Sequence, residues 1–512
     1  MKIFKYLFAL LFCLSFIGCS DLEENALSQL EPDEREVSLE NVETTLSGAY
    51  GHLSARAFLS RGLGLTLMLR SDMVDIGNPT TAAERIEHDQ FTVSASNPLI
   101  LNVSRPERSF WPRLYQMVRG ANETIRELDV LEEQEAGVKE EITARARFIR
   151  GLAYYHLVRL FGDVPYLDET TSTLEASTAA RTAVDVVYQN IIADLEYAKQ
   201  WLPDTRSDRA LPGKAAAGAY LASVYLTRAE YQNAFNEATS VINNAGTYDI
   251  ALEPDYRNIF HAENTDFSKE PLFVIDFVGT NVGDESRDYL AAFTGFYGQA
   301  TYYASGGWSV MVPAQAVYDT WDDGDYRKEV SMDDEALTNS GEVIPFTQFS
   351  SLDGRNTNRP HISKYTAMAG DLPQANTSGR DSHSNYQMMR YAEVLLIAAE
   401  AAIELGNTAE ADNYINMVRE RARNGNGSAV PANISGATID DVLEERRLEL
   451  CFEHKRWYDI VRRRLGDEVF GPGGYEVEQQ GTANFDPSRD YLLPIPPIEI
   501  ANNPNLTQNP GY

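Results

Sequence analysis

The chain has 512 residues with 76 Asp and Glu against 44 Lys and Arg, a formal net charge of -32, which rules against nucleic acid or an anionic lipid surface as a partner. Apolar residues make up 43% and aromatic residues 10%, the composition of a globular protein with a core of its own. With 3 cysteines in all, a disulfide scaffold is excluded.

The first element is a leader. Lys2 and Lys5 form a basic start and residues 6–17 an apolar run, within the roughly 7–15 residues of a signal segment and short of the ~20 that span a bilayer. The run ends in Gly18-Cys19, as in the lipobox of bacterial lipoproteins, with Phe16 where leucine is usual. On this reading residues 1–18 are a signal peptide, and Cys19 becomes the first mature residue and carries the anchoring lipid. A plain secreted protein with a chance cysteine is the competing reading. Cys13 leaves with the leader, so Cys451 is the only other mature thiol. The acidic cluster Asp21, Glu23 and Glu24 reads either as a solvated tether over 19–36 or as a sorting signal for the outer leaflet.

Residues 75–109 read as a polar loop in which Asn78, Asn102 and Arg105 are candidate hydrogen-bonding groups for a ligand. Trp111, Tyr115 and Asn122 follow at helical spacing and belong to a core face. In EEITARARFIRGLAYYHLVRLF, residues 140–161, Ile142, Ala146, Ile149, Ala153, Leu157 and Leu160 line one face of a helix that Gly162 and Pro165 end. His156 on this helix reads as a satisfied core residue. Residues 214–243 read as two helices mixing small residues with large aromatics, the habit of a tetratricopeptide repeat. The habit returns at 390–423, with Gly406-Asn407 as the turn.

Between these pairs, residues 247–388 break the helical period and show only short strand-like runs such as LFVIDFV. They read as an irregular insertion on a helical scaffold, the usual place for binding groups. Within it, FTGFYGQATYYASGGWSV, residues 293–310, sets six aromatic rings among glycines. A neutral glycan needs exposed rings for its C–H faces and nearby polar donors for its hydroxyls. Trp308 is therefore the leading ligand-binding candidate, followed by Tyr302, Tyr303 and Tyr297. Trp321, Asp325 and Arg327 in WDDGDYRK read as a structural turn outside the site.

Residues 438–466 read as one further helix, opened by a capping box of Thr438 and Asp441 and stopped at Gly466. Its charged residues, Glu445, Arg446, Arg447, Glu449, Glu453 and Arg456, are expected to pair with neighbouring helices rather than form a site.

LEERRLELCFEHKRWYDIVRR, ARARFIRGLAYYHLVRLFGDVPYL, MRYAEVLLIAAEAA and the ending YLLPIPPIEIANNPNLTQNPGY together resemble the signature segments of the SusD/RagB family of outer-membrane nutrient-binding lipoproteins. SLENVETTLSGAYGHL opens the series, and the order is the expected one. One departure is Glu453-His454-Lys455, where the family more often has glycine after the glutamate. The resemblance implies an all-α, tetratricopeptide-like scaffold with long loop insertions, forming a single domain over 37–512. It further implies a protein held on the outer membrane by the lipid on Cys19 and facing the exterior. There it would pass an oligosaccharide, or in the RagB branch a peptide, to a SusC-like TonB-dependent β-barrel transporter without breaking a bond. No cofactor and no metal are expected, since the seven histidines are scattered without ligand spacing. A surface glycoside hydrolase is the weaker alternative, because 76 acidic residues guarantee carboxylate pairs without marking one out. A repeat-based adaptor is the third reading.

Overall fold

The computed structural model describes residues 37–132, 134–206, 208–260, 267–277, 286–297, 307–337, 340–351, 357–366, 384–471 and 484–512. Residues 1–36, which include Cys19 and the expected leader and tether, lie outside them.

Helix α1 (Leu39–Gly51) starts where the Ser38 hydroxyl accepts the Asn41 amide at 3.3 Å, and it buries Val42, Leu46 and Ala49 at helical spacing. Helix α2 (Gly62–Leu69) is buried along its whole length. Helix α3 (Phe110–Val130) packs on α1 through a close approach: a Cβ at Gly120 would stand 2.8 Å from the Ala49 Cβ. Helix α4 (Val138–Phe161) lies between α3 and α5 (Val184–Trp201). Helices α6 (Lys214–Thr227) and α7 (Tyr231–Asn243) form the next pair, each packed on its predecessor. Each pair buries the stripe its neighbour leaves uncovered, which is how helical repeats build a continuous core.

The stack does not continue with the next residues in the chain. Helix α7 packs on α8 (Tyr391–Glu404), which pairs in turn with α9 (Thr408–Ala422) and α10 (Ile439–Glu449). The intervening insertion leaves the stack and returns to it. It returns through β8 (Tyr386–Arg390), antiparallel to β2 (Pro271–Ile275), with Pro271 opposite Arg390. The other strand pairs are equally short: β1 (Val74–Ile76) with β3 (Met311–Pro313), β4 (Met332–Asp333) with β7 (His361–Ile362), and β5 (Glu335–Leu337) with β6 (Val343–Pro345).

Two expectations are corrected. Residues 75–109 are not a continuous loop: they hold most of β1, a helical turn at Ala83–Asp89 and a 3-10 turn at Pro106–Arg108. Residues 438–466 are not one rod either. The Thr438–Asp441 capping box opens α10, but α10 ends at Glu449 and α11 (Arg456–Arg463) begins only after a turn in which Phe452 and His454 take φ of 62° and 60°. Gly466 starts a short helix, Gly466–Phe470, rather than ending a long one.

The break lets one carboxylate-rich segment reach different partners. Arg390 at the end of β8 binds Glu270 at 2.7 Å, Glu453 at 2.9 Å and Glu449, all buried. Arg327 binds Glu445 at 2.6 Å and Asp325 at 2.8 Å, and the Trp321 indole donates to Asp325 at 3.0 Å. Arg456 binds Asp72 at 2.7 Å, next to α2. The charged residues of this segment are thus structural, as is His156, buried and bonded to the Tyr458 hydroxyl at 2.8 Å.

Candidate functional site

Strands β1 and β3 bring two distant stretches together, with Asp75 opposite Val312 and Ile76 opposite Met311. The contact continues at Gly77, whose amide donates to the Val310 carbonyl at 3.0 Å. Only glycine fits there, since a Cβ would stand 2.4 Å from the Ser309 carbonyl oxygen. Asn78 therefore lies beside the 307–310 segment.

That segment is held on both sides. The Trp308 amide donates to the Ala292 carbonyl at 2.6 Å, and the Gly307 amide to the Phe296 carbonyl at 2.6 Å. Ser309 has a left-handed φ of 47°, and its hydroxyl accepts the Tyr297 amide at 2.8 Å and meets His361 Nε2 at 2.7 Å. A non-glycine residue in this conformation stores strain that surrounding contacts must hold. Here they are hydrogen bonds on both faces.

The Trp308 ring is half-buried. It meets Phe293 edge-on with centroids 5.1 Å apart and Tyr289 at 6.0 Å. Phe293 and Tyr289 are themselves buried, so they back the indole rather than offering faces of their own. Tyr297 is half-buried and bridges to Gly307. Tyr302 and Tyr303 lie outside the described residues.

The polar candidates divide. Asn78 is buried, and its carbonyl oxygen accepts the Thr80 amide at 3.0 Å and hydroxyl at 2.8 Å. Its placement suits the site, but that oxygen is committed to a local turn. Asn102 makes a similar turn, accepting the Ser104 and Arg105 amides at 3.1 and 3.0 Å. It lines a cleft of about 480 Å³ between the 95–103 loop and Pro496, Pro497 and Ile498, a cleft with no aromatic wall. Arg105 is exposed at the start of the turn that carries Arg108.

The sequence reading passed over a group of arginines beside the rings. The Arg85 guanidinium lies over Phe293 at 4.9 Å, and burial together with the charge of Arg61 lowers its pKa to about 10. Arg61 is pushed down in the same way, by burial and then by Arg56 and Arg108, against Glu84 and Tyr289. These residues come from SRGLG, AERIEH and RPERS, too far apart for any local pattern to join them.

A family profile described as SusD family matches residues 269–512, and one described as starch-binding associating with outer membrane matches 76–226. "SusD-like protein P2" of Formosa agariphila is 47% identical over 100% of this chain and 100% of its own. The chain belongs to the SusD family. "Starch-binding protein SusD" of Bacteroides thetaiotaomicron is 26% identical over 72% of each chain. Among solved structures, a "Laminarin binding SusD-like protein" superposes with a TM-score of 0.76 at 23% identity, covering 92% of this chain and 99% of the other. The helical stack is thus the SusD-like one, with its tetratricopeptide-like pairs and long insertion.

Proposed function

We propose that this SusD-family protein is a surface-exposed lipoprotein of the outer membrane that binds an oligosaccharide and delivers it to a SusC-like TonB-dependent transporter. It does so without catalysis, held by the lipid on Cys19. The carrying observation is the Trp308 indole, fixed by backbone bonds on a strained turn and backed by two buried rings. A half-buried ring so braced loses little freedom when a sugar face stacks on it. Tyr297 and the 77–78 turn flank it, and Tyr302 and Tyr303 complete the candidate set. The starch- and laminarin-binding relatives support a glycan over a peptide.

Affinity electrophoresis of the full-length protein through gels containing starch or laminarin tests this reading. Trp308→Ala is expected to weaken retention by roughly thirtyfold, about 2 kcal/mol, with helical circular dichroism unchanged. Equal retention of both proteins would take Trp308 out of the site. Mass spectrometry of proteins co-purifying with the intact and Cys19→Ala forms tests the transporter and the anchor.

A further inference from the structure

The two described rings of the candidate set are anchored in different places. The Trp308 indole packs on the main core through Phe293 and Tyr289. Phe296, which precedes Tyr297, belongs to a small separate cluster with Ala336, Ile344 and Phe349. The backbone draws the two stretches close: a Cβ at Gly307 would stand 2.1 Å from the Gly295 carbonyl, and the Ser309 amide donates to that carbonyl at 2.9 Å. One side-chain oxygen then ties them, since the Ser309 hydroxyl accepts the Tyr297 amide at 2.8 Å and lies 2.7 Å from His361 Nε2. His361 comes from a third place, β7, where it stands opposite Asp333. It is 2% exposed, and its ring rests against Phe296 and Phe349 with centroids 4.9 and 5.4 Å away. Burial lowers its pKa to about 3 against a smaller opposing effect of the Arg359 backbone, so the imidazole is neutral at physiological pH. A neutral ring nitrogen bonds a hydroxyl in either tautomer, as donor or as acceptor. An immobile ring therefore fixes the Ser309 oxygen, and with it a left-handed residue that would otherwise be free to relax.

We infer that His361 is a positioning residue of the glycan site: through the Ser309 oxygen it fixes Tyr297 relative to Trp308, and so the spacing of the two rings, without touching the ligand. This rests on the glycan-binding reading above. Rings spaced in advance meet sugar faces with little loss of freedom, whereas rings free to shift must be ordered on binding.

The test compares two full-length variants. His361→Phe keeps a ring against Phe296 and Phe349 but loses the nitrogen, and His361→Gln offers a side-chain amide in its place. In gels containing starch or laminarin, His361→Phe is expected to bind roughly fivefold more weakly than the parent, the weight of one hydrogen bond, and His361→Gln to recover most of that loss. With 5-fluorotryptophan at the five tryptophans, the Trp308 fluorine resonance, assigned by its absence in Trp308→Phe, should move in His361→Phe and return in His361→Gln. Ser309→Ala, which removes the shared oxygen, reads the same loss should His361→Phe fold poorly. Retention of His361→Phe equal to the parent's overturns the inference and leaves glycan binding standing. Equal losses in the two His361 variants, or a Trp308 resonance that stays in place, do the same. Retention of the parent by neither polymer overturns both.

Discussion

His454 shows how a single backbone angle reinterprets a sequence departure. Where the family more often has glycine, this chain has a histidine at φ 60°, a conformation that costs an L-residue about 1–2 kcal/mol. Its ring is buried and repays part of that, through a 2.8 Å bond to the Tyr386 hydroxyl and an edge contact at 5.1 Å. Both His454→Ala and His454→Gly lose those contacts, but only alanine keeps the backbone strain. We therefore expect the glycine variant to be the more stable of the two by about 1 kcal/mol in urea unfolding. Inside a continuous helix the order would reverse by a similar amount, so the sign alone distinguishes a turn from a rod. Ser309, at φ 47°, is the corresponding position in the candidate site.

Among the elements, the junction of β8 with α10 depends on one side chain. Arg390 is 1% exposed and satisfies Glu270 from β2's approach, Glu449 from α10 and Glu453 from the turn. Burial alone would push the Glu453 carboxyl up. Arg390 and Lys364 reverse this and hold it below the usual carboxylate range. Arg390→Ala would leave Glu270 and Glu449 to Arg421 and Arg327 and Glu453 to Lys364, a buried network short of one cation, and the expected loss is about 3 kcal/mol, read as a lower urea midpoint at unchanged slope. Thr438→Ala, which removes only the α10 cap, should cost about 1 kcal/mol. Comparable losses in the two variants would mean that the buried network contributes no more than one cap.

Across the whole molecule, buried titratable groups set the response to acid. Loss of water lowers the His88, His361 and His454 pKa values to about 3, and burial with Arg113 nearby lowers His52 to about 4. The unfolded chain takes up protons at these residues near pH 6.5 while the folded chain refuses them, so stability falls as pH drops from 6.5 toward 3. Depressed carboxylates add to the fall. Glu400 and Glu453, held low by arginine partners against the effect of burial, contribute stability above about pH 4.3 that is lost below it. Asp89 opposes them: burial raises it to about 7, so its contribution is complete below about pH 3.9 and lost as pH rises through 7. Burial also raises Asp194, Asp333 and Glu499, but Asp89 and these three are outnumbered by five depressed histidines, His156 among them, together with the carboxylates held low. The thermal midpoint should be flat above pH 7 and decline from 6.5 downward, and a midpoint unchanged down to pH 4 would contradict this balance.

The helix at 140–161 and the helix pairs at 214–243 and 390–423 were legible in the sequence because their apolar period is carried by residues three and four apart. The capping box at Thr438 and the structural role of WDDGDYRK were readable because their partners lie within four residues. The tertiary structure alone decided that Phe293 and Phe296 in the aromatic stretch are buried and that Trp308 sits at their edge. A ring's exposure depends on what other segments bring to it. The break after Glu449 was hidden because its apolar spacing suits a helix, while its carboxylates must reach β8, α9 and Lys364 at once. Arg85 and the Phe293 ring meet where the β1–β3 pairing, its extension at Gly77 and the Ser60–Arg287 bond join the two stretches. Sequence period records what neighbours in the chain share; charge brought together across two hundred residues is recorded only in the packing.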